Sequence, residues 1–159
     1  MSGIVEIKEI VEKIKYQCSV REYCQWDIRE KLKKRGVAAG QIEKVLAELI
    51  SEKFVSDERY AAAYARDKSL LVGWGRDKIF FALRRKHISN SILESVWEEL
   101  DQEPKRLEKM QGVIATKWKS LSKELPNKRV EKTLRFALGR GFRYEQAMRV
   151  IEDCKQNLI

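Results

Sequence analysis

Arg76-Asp77-Lys78-Ile79-Phe80-Phe81-Ala82-Leu83-Arg84-Arg85-Lys86-His87-Ile88 runs directly into Ser89-Asn90-Ser91-Ile92-Leu93-Glu94-Ser95-Val96-Trp97. Ile79 and Leu83 stand one helical turn apart, and Leu93, Val96 and Trp97 again recur at threes and fours. That period belongs to two amphipathic helices, here joined by a basic turn at Lys86-His87-Ile88. Two further stretches have the same form. In one, Ile28 and Leu32 precede Arg35-Gly36-Val37, followed by Ile42, Val45 and Leu46. In the other, Leu134 and Leu138 precede Arg140-Gly141-Phe142, followed by Ala147, Val150 and Ile151. Aligned on the turn hydrophobe, the copies are expected to share apolar places at −9, −5, +5, +8 and +9, with the turns 51 and then 54 residues apart.

A further helix is expected ahead of each pair: Val5 to Cys18, Asp57 to Leu70, and Pro104 to Leu121. Gly36 and Gly141 sit where a left-handed residue closes a helix, and His87 takes that place in the middle copy. Ser89 and Ser56 read as N-caps, the latter followed by Asp57 and Glu58, whose charges complement the helix dipole. One three-helix unit of some fifty residues is near the lower limit for stability, so the units must stack. The expected fold is all-α: three tandem three-helix repeats, 1-55, 56-102 and 103-159, in an elongated, curved array.

Composition removes several chemistries. With one histidine, a Ser-His-Asp set or an ordinary zinc site would have to spend His87. No GxxxxGK[ST] occurs, and Gly139-Arg140-Gly141 lacks the third glycine of a dinucleotide fingerprint. Cys18, Cys24 and Cys154 read as small buried hydrophobes of a reducing compartment. Glu6, Lys8 and Glu9 interrupt any leader-like apolar stretch, and no run suits a membrane span. A cytoplasmic, monomeric, non-catalytic protein without metal or cofactor is expected.

The net charge is +9, and it is unevenly placed. The second helix and turn of each copy hold six cations against three acids (Val20 to Gly36), five against one (Arg76 to His87), and six against one (Asn127 to Arg143). The third helices are neutral to acidic, most of all Ser89 to Glu103, with five acids and no cation. Cations at helix C-termini favour the dipole; Arg76, Lys78, Lys128 and Arg129, at helix starts, oppose it. A basic surface for phosphate or an acidic protein groove is therefore expected on Lys33, Lys34, Arg35, Arg76, Lys78, Arg84, Arg85, Lys86, Lys128, Arg129, Arg140 and Arg143. Trp26, Trp74 and Phe81 lie near these cations and could stack on bases, although aromatics at helical spacing are more often core.

Phe54-Val55-Ser56-Asp57-Glu58-Arg59-Tyr60-Ala61, continuing into Gly73-Trp74-Gly75-Arg76-Asp77-Lys78-Ile79 and then Leu83, Lys86 and Ile88, resembles the segment that opens the second repeat of RecX regulatory proteins. Leu138-Gly139-Arg140-Gly141-Phe142 resembles that family's arginine-glycine-phenylalanine turn. The departures are Arg76 in place of proline, Ala82 of glutamate, His87 of glycine and Gly139 of arginine. The resemblance implies a regulator that binds RecA filaments on DNA and suppresses ATP hydrolysis, strand exchange and coprotease activity, with no catalytic residue or cofactor. Single- or double-stranded DNA is a further, nonspecific partner to expect.

Other readings are less well supported by the residues. A direct DNA-binding protein of the helix-turn-helix type would put the helix after each turn into the major groove, yet those helices are neutral to acidic. An enzyme using Asp57, Glu58 and Asp67 lacks a nucleophile, a metal cluster and a phosphate loop. An adaptor for another helical partner needs nothing the chain lacks, but explains none of the charge pattern.

Overall fold

A computed structural model describes the backbone of residues 2–159 and the side chains from residue 6 onward; Met1, the expected start of the first unit, lies outside the described residues. Among those residues the fold is all-helical. The helices are α1 (Ser2–Val20), α2 (Gln25–Lys34), α3 (Ala39–Ser51), α4 (Asp57–Asp67), α5 (Arg76–Arg84), α6 (Asn90–Asp101), α7 (Pro104–Ser120), α8 (Pro126–Gly139) and α9 (Tyr144–Lys155). α4 continues into a wider π turn, Lys68–Val72, in place of the regular helix expected as far as Leu70.

The turn between second and third helix is built three times in the same way. Gly36, His87 and Gly141 adopt φ of 78°, 60° and 92°. The next residue's N–H reaches back to the carbonyl five places earlier: Val37 to Leu32 at 3.1 Å, Ile88 to Leu83 at 3.2 Å and Phe142 to Ala137 at 3.1 Å. This is the Schellman closure, which satisfies carbonyls the helix leaves open. Histidine is among the few L residues that tolerate the left-handed region, and the His87 ring stacks on Trp26, with centroids 5.9 Å apart. Ser56 and Ser89 cap α4 and α6 as expected, accepting from Arg59 N and Ile92 N.

The third copy corrects the expected alignment. The −9 and −5 places before Phe142 hold Thr133 and Ala137, both fully buried, whereas Leu138 is 45% exposed and Leu134 only half-buried. The closure fixes the register, because the carbonyl bonded by the turn hydrophobe must belong to the −5 residue. Ala137 leaves room for the buried Phe142 ring, and Thr133 Oγ1 satisfies its hydroxyl on Arg129 O at 2.8 Å.

Each copy has its own core. Ile14, Ile28, Leu32, Leu46 and Leu49 centre the first. Tyr60, Ile79, Phe80, Leu83 and Leu93 centre the second. Ile114, Ala137, Phe142 and Ile151 centre the third. A single shared core would bury more surface. The molecule exposes 10179 Å², about a fifth more than the roughly 8,300 Å² expected of a compact monomer of its 18.7 kDa mass. The excess is what an extended array leaves in solvent.

The two joints between units differ. At the first, Cys24, which opens α2, is fully buried in the second unit's core. Gln25 N donates to Asp57 Oδ1 at 2.8 Å, Lys86 Nζ pairs with Asp27 at 2.6 Å, and Arg59 pairs with Glu22 at 3.1 Å. At the second, two backbones touch: Gly75 N donates to Arg140 O at 2.6 Å and Asp77 N to Gly141 O at 3.1 Å. Arg140 Nη1 adds a bond to Val72 O at 2.9 Å. A side chain on Gly75 would lie 2.5 Å from the Gly141 carbonyl, so only glycine permits the approach. Buried Arg106, paired with Asp101 and facing the Trp97 ring at 5.1 Å, ties α6 to α7 beside this joint.

Burial pushes the Cys24 thiol up to about 12, and the Tyr60 hydroxyl upward for the same reason. In the unfolded chain a thiol ionises near 8.5. Between those values the unfolded state holds fewer protons than the folded one, so stability must fall as pH rises through that window. Urea unfolding is expected to show a loss on the order of 1 kcal/mol between pH 8 and 10 that is clearly smaller in Cys24→Ala, where Cys18 and Cys154, also raised by burial, still contribute. An identical pH dependence in that variant would refute the assignment.

Candidate functional site

The structure divides the twelve expected contact cations into two groups. Five hold the fold together. Arg76 bonds Glu94 at 2.9 Å and lies 4.0 Å over the Phe80 ring. Lys78 sits 4.4 Å over Trp74, and Lys86 combines its Asp27 pair with the Trp26 ring at 4.8 Å. Arg129 lies 3.9 Å over Trp118 and donates to Trp118 O, while Arg140 serves the second joint. Arg76, Lys78 and Arg129, whose positions oppose the helix dipole, thus find ring and carboxylate partners that sequence position does not reveal.

The other seven face solvent. Lys34, Arg35, Arg84, Arg85 and Arg143 are exposed, and each pairs with no carboxylate among the described residues. Lys33 and Lys128 make only same-helix pairs, with Glu30 at 3.5 Å and Glu131 at 3.4 Å. Such exposed pairs contribute a few tenths of a kcal/mol at most. Arg84 touches Asn90 Oδ1 at 3.3 Å, a bond a stronger acceptor could displace. Charge held in water without a carboxylate partner remains available to an anionic surface.

Asp57, Arg59, Gly73 and Gly75, which match the family segment, have structural duties. Asp57 bridges the first joint; its half-buried carboxyl is raised above the usual range by burial, partly offset by the Gln25 N–H. Arg59 binds Glu22 and Lys53 O. Gly73, at φ 83°, lets α7 approach, since a side chain there would lie 2.8 Å from Val113 Cγ1. None of the four is placed as an acid or nucleophile.

An aromatic cleft of about 470 Å³ also opens where the first unit meets the second, walled by Trp26, Tyr64, Trp74 and Phe81 and edged by Lys78, Arg85 and Lys86. Tyr64 carried no signal in the sequence, because its partners lie far from it along the chain. Among the described residues no helix is long and apolar enough to cross a membrane, and no group of three metal-ligating side chains occurs.

Jointed three-helix units define a helical-repeat protein, here with exposed cations that lack carboxylate partners among the described residues. The family model described as RecX, second three-helix domain, matches residues 56–96. The regulatory protein RecX of Clostridium perfringens (strain SM101 / Type A) is 28% identical over 97% of this chain and 76% of its own length. That of Vibrio vulnificus is 29% identical over 85% and 86%. The crystal structure of RecX from Lactobacillus salivarius superposes with a TM-score of 0.83 at 20% identity, covering 98% of this chain and 99% of the other. The chain is thus similar to regulatory proteins named RecX along most of its length, and it shares the fold of a RecX crystal structure.

Proposed function

We propose that this chain binds RecA filaments on DNA as a monomer in the cytoplasm and, without catalysis of its own, suppresses RecA ATP hydrolysis, strand exchange and coprotease activity. The observation that carries this reading is the likeness to regulatory proteins named RecX along nearly the whole chain, in sequence and in fold. Physical features agree with it. Three jointed units, taken as 1-55, 56-102 and 103-159, can each meet successive protomers of a helical partner. Lys33, Lys34, Arg35, Arg84, Arg85, Lys128 and Arg143 supply the contact charge, while Lys86 and Arg140 hold the joints and Arg76, Lys78 and Arg129 brace single units.

The test is single-strand-dependent ATP hydrolysis by RecA of the same organism, with the chain titrated in below the RecA concentration. Strong inhibition is expected from the natural protein. An Arg84→Glu/Arg85→Glu variant, which leaves Lys86 on Asp27 and so keeps the first joint, is expected to inhibit several-fold more weakly. Full ATPase rates in the presence of folded natural protein would overturn the reading.

A further inference from the structure

We propose that the cleft at the first joint is a site for one unpaired base of single-stranded nucleic acid together with its neighbouring phosphate. The inference does not depend on the filament reading.

The walls come from elements far apart in sequence: Trp26 from α2, Tyr64 from α4, Trp74 from the loop after the π turn, and Phe81 from α5. Three of the four rings are braced. Trp26 is stacked on His87, and Tyr64 meets Trp74 edge-on with centroids 6.4 Å apart. Phe81 is the exception, at 65% exposed on a helix that turns Ile79, Phe80 and Leu83 into the core. It contributes nothing to that core. It offers solvent an apolar face beside a preorganised aromatic wall, which is the arrangement a flat ring fills by stacking.

Charge selects among flat ligands. Lys78, Arg85 and Lys86 edge the cleft and no carboxylate lines it; Lys86 is already paired with Asp27, so Lys78 and Arg85 are the cations left for a ligand. The Lys78 ammonium lies 4.4 Å from the Trp74 centroid and the Arg85 guanidinium 6.0 Å from that of Phe81. A group stacked in the cleft therefore has cations within reach of an attached phosphate. The volume of about 470 Å³ falls within the usual range for small-ligand pockets, roughly 300–1,000 Å³. A carboxylate-rich peptide would meet the cations but leave the ring faces uncovered. A duplex keeps its bases stacked and paired, out of reach.

The test is fluorescence anisotropy at low salt, using the full chain with a short labelled oligothymidylate and an abasic strand of equal length and charge. Tighter binding of the oligothymidylate is expected, with quenching of tryptophan emission as Trp26 and Trp74 are covered. Phe81→Ala removes an exposed side chain and should leave the unfolding midpoint unchanged, yet weaken oligothymidylate binding roughly ten-fold. Ala82→Glu, which places a carboxylate in the cleft lining on a residue type that favours helix, should weaken it at least as much. Equal affinity for the abasic strand would overturn the proposal, as would unchanged binding by folded Phe81→Ala. Equally tight binding of polyglutamate, lost in the same variants, would reassign the cleft to an acidic protein segment. RecA takes no part in these measurements, so their failure and a failure of the ATPase test are distinct.

Discussion

Gly75→Ala is expected to destabilise the protein by about 3–5 kcal/mol, a loss out of proportion to one methyl group. Gly75 has an ordinary φ of −86°, so backbone strain is not the cause. The cause is contact. The new Cβ would lie 2.5 Å from the carbonyl carbon and oxygen of Gly141 and 2.6 Å from Phe142 N. These are backbone atoms with no rotamer to escape into. From the other side, a Cβ on Gly141 would meet Lys78 N and Cβ at 2.5 Å, so the fit is tight both ways. Relief requires the second and third units to part, which breaks the Gly75–Arg140, Asp77–Gly141 and Arg140–Val72 bonds together. Each break leaves a polar group short of a partner, at about 1–3 kcal/mol where water does not enter. Urea unfolding followed by circular dichroism would measure the loss. Gly112→Ala is the control: within α7, an added Cβ there meets nothing within 4 Å, and the change should stabilise by about 0.5–1 kcal/mol. A Gly75→Ala protein as stable as the natural one would show that the joint yields.

Lys86→Glu is expected to cost about 2–3 kcal/mol, whereas Arg84→Glu or Arg85→Glu should each change stability by no more than about 0.5 kcal/mol. The three are consecutive and read alike. Lys86 alone turns inward, to an Asp27 side chain only 12% exposed. Reversal sets two carboxylates against each other at the first joint and uncovers the Trp26 face that the ammonium occupies. Because Lys86 is itself partly in water, the loss falls short of that for a fully buried pair. A double-mutant cycle with Asp27→Lys tests the pairing: the swapped pair should recover at least half of the loss. Additive losses in that cycle would mean the pair contributes nothing.

Helix number, the starts of α4 and α6 and all three closures could be read from apolar period, serine caps and Gly36, His87 and Gly141, because those signals act within a few residues. The third unit's register could not. Leu134 and Leu138 look like better core residues than Thr133 and Ala137, and only the bond from Phe142 to Ala137 decides between them. The cation set was legible as a group but not in its roles, since the partners of Lys86, Arg129 and Arg140 lie 59, 11 and 68 residues away. No local pattern encodes a contact of that range. The cleft was invisible for the same reason, although three of its four rings were conspicuous singly.

The placement of Cys24 has a consequence for the newborn chain. Synthesis delivers the first unit well before Tyr60, Phe80 and Leu93, against which Cys24 and the neighbouring Trp26 pack, leave the ribosome. At about 5–20 residues per second that interval lasts seconds. During it the start of α2 has an apolar flank that the second unit later covers. The first unit's surface is therefore complete only once the second unit has been made, whereas the glycine-lined second joint joins elements that come later in the chain.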